Sequence, residues 1–185
     1  MSENNLWVIR QQFAQCVFNN KIHEISTERN DKYMFYIKLW NIIIVSAILI
    51  TIILQLIYEN NIFISGLSIW LSIWEIIFLI IQLFFNFWDK SSKHKNSALK
   101  FLWLRDRYKN FISGLHNGYI LKKEESFRIE SLQNEYQIIC EISPQTTDKD
   151  FEKAQKDLLW KNNKWEEYTW SNKEINRFLP KDLHI

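Results

Sequence analysis

Two apolar runs dominate the pattern. LWNIIIVSAILITIILQLI fills Leu39–Ile57, and IFISGLSIWLSIWEIIFLIIQLFF fills Ile62–Phe85. A helix needs roughly 20 residues at about 1.5 Å each to cross a bilayer. The first run would rise about 28 Å and the second about 36 Å with some tilt. Only Tyr58-Glu59-Asn60-Asn61 separates them, so the pattern predicts a helical hairpin with that tetrapeptide at its tip. The flanking segments show the three-four spacing of amphipathic helices. Leu6, Ile9, Phe13, Cys16 or Val17 and Asn20 predict a helix over residues 4–27. Ser26–Asp31 reads as a polar joint before the first span. Phe101, Leu104, Tyr108, Phe111, Leu115 and Tyr119 keep a heptad-like register, as do Ile129, Leu132, Tyr136 and Ile139. These predict helices over 97–119 and 122–142, the second ended by Pro144. Thr147 with Asp150, and Ser171 with Glu174, have the spacing of capping boxes for two further helices. Trp160, Trp165, Tyr168 and Trp170 lie between those two helices, either pinning the tail or facing a partner.

The second apolar run carries a polar stripe. Ser65, Ser68, Ser72, Glu75, Leu79, Gln82 and Asn86 follow steps of three and four, so they share one helical face. Glu75 falls near mid-span. A charge there costs about 2.5–3.5 kcal/mol on insertion scales, so Glu75 must face protein or water, or be protonated. Asn41, Thr51 and Gln55 in the first run are candidates for interhelical hydrogen bonds to that face. Two readings stand side by side. The stripe is polar glue inside one hairpin, or it lines a wet pore built from several copies.

Composition supports an all-α protein. Among 185 residues there are only 3 Gly and 2 Pro. The bias towards Ile, Asn, Lys and Phe fits an AT-rich bacterial genome. A net charge of +2 gives no global field for nucleic acid, and no direct nucleic-acid binding is expected. No cleavable signal peptide is read at Met1–Ile25. Cations flank both outer ends of the hairpin: Lys21, Arg29, Lys32 and Lys38 before it, Lys90, Lys93, Lys95, Lys100, Arg105 and Arg107 after it. The tip has none. The positive-inside rule then puts both termini in the cytoplasm. Lys90, Lys93, Lys95 and Lys100 are candidates for contact with anionic lipid headgroups.

Enzyme chemistry finds no support. His23, His94, His116 and His184 are scattered, without ligand spacing, and Cys16 and Cys140 stand alone. Glu124-Glu125 and Glu166-Glu167 are neighbours in sequence, so on a helix they diverge by about 100°. No Gly-rich phosphate loop or nucleophile elbow occurs. No catalytic, metal or cofactor residue is assigned, and no cofactor is expected.

An N-terminal helix, two spans with a minimal tip, and a basic helical segment reading ALKFLWLRDRYKNFISGL make a layout that resembles the SLATT superfamily of bacterial two-span effector proteins. The resemblance covers roughly Asn4 to Ile142 and rests on architecture rather than an invariant motif. It implies a membrane effector of anti-phage immunity that assembles into pores, arresting growth or killing the infected cell. It also implies a sensor encoded nearby, such as a nucleotide cyclase, a SLOG module or a reverse transcriptase.

The expectation is therefore a transmembrane helical hairpin with a cytosolic helical bundle, oligomeric, in the bacterial inner membrane. Its parts are an N-terminal helix (1–31), the hairpin (32–90), a helical region (91–145) and a Trp-rich tail (146–185). Leu132 and Tyr136 are candidate contacts between copies in a homo-oligomer, and membrane lipid is the other partner. The alternatives are a non-conducting scaffold or anchor whose cytosolic helices bind a partner protein, and a holin-like lysis protein.

Overall fold

A computed structural model describes residues 3–58, 61–84, 87–159 and 170–185. Glu59 and Asn60 of the tip, Asn86 of the stripe, and Trp160, Trp165 and Tyr168 lie outside the described residues. The elements are α1 (Glu3–Ile57), α2 (Ile62–Phe84), α3 (Phe87–His116), α4 (Lys122–Ile142), α5 (Asp148–Leu159), α6 (Asn172–Asn176) and a 3-10 turn, Lys181–Leu183. Among the described residues there is no strand, so the all-α expectation holds. The chain forms two compact units. One comprises Glu28–Ser91, and the other comprises Met1–Thr27 with Ser92–Ile185.

The expected joint at Ser26–Asp31 is helical, since α1 runs through it, and the boundary between the two units falls within it, between Thr27 and Glu28. No Gly or Pro occurs there, and the small polar side chains do not compete for the local backbone in a way that ends a helix. The Ser26 hydroxyl donates to Asp150 at 2.9 Å, and the Thr27 hydroxyl donates back to the His23 carbonyl at 2.8 Å. Similarly, Asp89–Lys93 continues a helix that begins at Phe87. α3 stops at His116, two residues before Gly118, whose φ of 71° suits a residue without a Cβ. Tyr119 therefore drops out of the predicted register and is 82% exposed.

The unit of residues 1–27 and 92–185 has the larger core. Ile9, Phe13 and Cys16 from α1 pack with Phe101, Leu104 and Tyr108 from α3, Leu132 and Ile139 from α4, and Ala154 from α5. Leu132 is buried and Tyr136 half-buried in this core, with the Tyr136 hydroxyl accepting from Asn19 at 3.0 Å. Both candidate contacts between copies thus take part in the packing of a single chain. Cys16 and Cys140 are free thiols, and burial pushes the Cys16 thiol up from its ordinary range.

Buried polar groups on α1 hold each of the other elements of this unit except α4's apolar seam. The Arg10 guanidinium donates to the Leu183 carbonyl at 3.0 Å and to the Asn176 side chain. Gln11 pairs twice with the Trp170 backbone, donating at 2.7 Å and accepting at 2.9 Å. Trp170 is therefore pinned, as one of the two readings of the tail expects. Asn20 donates to the Ala98 carbonyl at 2.8 Å. Asp150 also takes the Thr147 backbone N–H and hydroxyl, while the Thr147 hydroxyl accepts from the Asp150 N–H. That is the reciprocal cap expected at the start of α5. Ser171 and Glu174 form the second such cap.

His23 and His94 meet through their Nδ1 atoms at 2.9 Å inside the core, with His23 stacked on Phe101 at 5.6 Å. Burial, and then His94, hold the His23 pKa down to about 4 from 6.5, against the pull of Asp150. An unfolded chain would take up the proton near 6.5, whereas the fold resists it until about pH 4. Stability is thus full above pH 6.5 and declines as pH falls through the window from 6.5 to 4. The expected loss is on the order of 1–3 kcal/mol. Thermal melts of the full chain in detergent at pH 7.5, 5.5 and 4.5 measure it. His23→Gln, which cannot titrate there, should flatten the slope. An unchanged slope would place the acid sensitivity elsewhere.

Candidate functional site in the membrane hairpin

The hairpin unit is built almost wholly of apolar side chains, and its outer faces stay open. Leu49, Ile50, Ile53 and Leu56 of α1 are exposed, as are Ile69, Trp70, Ile73, Trp74 and Ile80 of α2. Both helices are long and apolar enough to cross a membrane. Exposed Ile, Leu and Trp on this scale are costly in water and favourable in lipid. At the polar end of this unit, Ser91 donates to Asp31 at 2.5 Å. Lys38 sits over the Trp88 ring at 5.9 Å, and Lys90 over Phe87 at 5.8 Å. Cations and aromatics at such a level match the interfacial belt of a spanning helix.

The residues buried between the two helices include polar ones, Thr51, Ser68 and Glu75, and one hydrogen bond crosses between them. The Asn41 amide donates to Glu75 Oε1 at 3.1 Å. Glu75 is 9% exposed, and its other oxygen is buried without a hydrogen-bond partner. The stripe expected from periodicity therefore exists, and it turns towards α1. Ser68 is buried, whereas Ser65, Ser72 and Gln82 are half-buried and Leu79 is exposed. The serines do not bridge the helices. Ser68 donates to the Ile64 carbonyl at 3.1 Å and Ser72 to the Ser68 carbonyl at 2.9 Å, both within α2. Their hydroxyls are satisfied locally, as is usual for Ser inside a helix.

Of the three first-span candidates, only Asn41 makes the bond across. Thr51 is buried but donates to its own Ile48 carbonyl at 2.8 Å. Gln55 is exposed. Antiparallel register explains the difference. With Asn41 opposite Glu75, a step of ten along each chain sets Thr51 opposite Ser65. A step of fourteen takes Gln55 to position 61, one residue before α2 begins. Gln55 thus has no turn of α2 to meet. The face of α1 that does meet α2 consists of Met34, Ile37, Asn41, Ile44, Ile48 and Thr51, all at least half-buried. Its three-four spacing was present in the sequence, masked by the Ile-rich run around it.

Lys90, Lys93, Lys95 and Lys100, the candidates for headgroup contact, are all exposed. Lys90 belongs to the hairpin unit and the other three to the second unit. Among the described residues, no group of three or more His, Cys, Asp or Glu side chains is placed to hold a metal ion.

The family described as SMODS and SLOG-associating 2TM effector domain family 4 matches this chain over residues 6–174. The match extends past Ile142, where the resemblance read from the sequence stopped, into the tail that α1 pins through Trp170. No curated protein and no solved structure matches the chain.

The Asn41–Glu75 contact should be measurable as a coupling. Interhelical hydrogen bonds between spans are worth about 0.6–2 kcal/mol. Asn41→Leu, Glu75→Leu and the double variant, compared by unfolding in mixed micelles, should give a coupling in that range. A value near zero would mean that apolar packing alone holds the hairpin.

Proposed function

The chain belongs to the SMODS and SLOG-associating 2TM effector domain family 4, and from that premise we propose that it is a membrane effector of bacterial anti-phage defence. In this reading it oligomerises into a pore when a partner sensor triggers it. The membrane then depolarises, and growth arrest or death of the infected cell follows. The protein acts without enzymatic chemistry. The sensor is a SLOG module, a nucleotide cyclase or a reverse transcriptase encoded nearby. The protein resides in the inner membrane with both termini cytoplasmic.

The observation that carries the pore reading is Glu75. A carboxyl near mid-span, with one oxygen unpartnered and the other held by a single amide, is more polarity than a passive anchor needs. In the described hairpin that face looks inward. Conduction requires it to exchange Asn41 for neighbouring copies and a shared water-filled axis, since one hairpin cannot enclose a pore. A resting and a conducting arrangement of the same stripe follow from this. The second reading is a non-conducting anchor, and the Asn41–Glu75 bond is what favours it, because a hairpin stitched by that bond is complete on its own.

Orientation follows from the cation asymmetry. A cysteine placed at Asn61 should react with an impermeant maleimide in spheroplasts, while the exposed native Cys140 reacts only after permeabilisation. Early labelling of Cys140 would reverse the topology.

Planar-bilayer recordings separate the two functions. Wild type should conduct with a preference for cations, as expected of a ring of carboxyl side chains. Glu75→Gln should conduct with a smaller reversal potential in a KCl gradient, and Glu75→Leu should close by dewetting. Absence of conductance from assembled wild type would favour the anchor. Identical reversal potentials for wild type and Glu75→Gln would remove Glu75 from the conduction path.

A further inference from the structure

The turn between α3 and α4 shapes a cleft of about 470 Å³ in the unit of residues 1–27 and 92–185. That size falls within the range of small-molecule sites, about 300–1,000 Å³. Two guanidinium groups line it, Arg107 from α3 and Arg128 from α4, and no carboxylate does. Asn110 and Ser131 add an amide and a hydroxyl. Three aromatic rings line it as well, the buried Phe111 and two exposed ones, Tyr119 at 82% exposure and Phe127 at 73%.

Each of the two arginines is ion-paired through one nitrogen. Arg107 gives one nitrogen to Glu135, and Arg128 gives one to Glu124 at 3.1 Å. Each guanidinium has five N–H donors in a fork that matches phosphate oxygens. Most of that capacity is left over, on two helices that converge on one cleft. The aromatic faces beside it suit the plane of a base, since base–aromatic stacking is worth about 1–3 kcal/mol. Guanidinium forks, short polar side chains and open rings around a volume of this size together describe the chemistry of a nucleotide.

We infer that the α3–α4 cleft binds a nucleoside polyphosphate, its phosphates on Arg107 and Arg128 and its base against Phe127 and Tyr119. The turn itself is built to hold this shape. Gly118 takes the left-handed conformation, and a Cβ at Gly114 would come within 2.9 Å of Ile120, which also lines the cleft. The inference goes beyond pore formation and does not depend on it, because the site lies wholly on this unit and binding can be read without conductance.

Titration calorimetry on the full chain in detergent tests it, with ATP, adenosine and pyrophosphate as separate probes. ATP should bind saturably, adenosine should not, and pyrophosphate should bind at least fivefold more weakly than ATP. Arg107→Gln should weaken ATP about tenfold, the size of a lost charge-assisted hydrogen bond. Arg107→Lys should recover only part of that, since it keeps the charge without the fork. Phe127→Ala should cost at least fivefold while leaving pyrophosphate unchanged. Lys109→Gln changes a cation on the same helix outside the cleft and should have no effect. Both Arg107 and Phe127 are largely exposed, so these variants leave the core intact. Absence of ATP binding at millimolar concentration would overturn the inference. So would ATP and pyrophosphate binding alike with no effect of Phe127→Ala, which would indicate an adventitious anion only.

Discussion

Everything in the larger unit depends on the requirement that polar groups buried on α1 find partners. Arg10, Gln11, Asn20, His23 and Ser26 are all nine-tenths or more buried. Leaving such a group unsatisfied costs about 1–3 kcal/mol, and more for a charge. Each therefore demands a complementary atom, and each takes it from a different place: the C-terminal turn, the Trp170 backbone, α3 at two levels, and the cap of α5. Apolar packing between helices is tolerant of rotation and sliding. These bonds are not, so they fix which face of each element meets α1.

The hairpin inverts the balance. Its burial is thin and its apolar faces are left for lipid, where no hydrophobic force drives one span against the other. One polar contact, Asn41 to Glu75, then carries an unusual share of the pairing. The same weak association that makes the contact important also makes it exchangeable.

Much of this architecture was legible in the sequence. The registers through Phe101, Leu104, Tyr108 and Phe111, and through Leu132 and Ile139, identified core faces, because periodicity reports burial directly. Periodicity also identified the Glu75 stripe, but it defines a face and not what that face meets. Whether Glu75 faces a partner span or a pore is a matter of tertiary and quaternary contact. The same limit applies to Leu132 and Tyr136, whose register marked a face without saying that this chain's own core packs against it. Arg10, Gln11 and the Ser26–Asp150 bond were missed for another reason. Polar residues on a helix read as solvated unless their partners are known, and here those partners lie 124 to 173 positions away. A signal was available: Arg10 falls between Leu6, Phe13 and Val17 on the apolar arc of α1, where a solvated arginine has no place.

The clasp of Arg10 on Leu183 spans 173 positions, which imposes an order on biosynthesis. At about 5–20 residues per second, the ribosome needs roughly 9–35 s to travel from one partner to the other. Both spans emerge well within that interval. The hairpin can be in the bilayer while the guanidinium that closes the larger unit is still waiting for its acceptor, so during every round of synthesis an anchored, unfinished protein precedes the finished one.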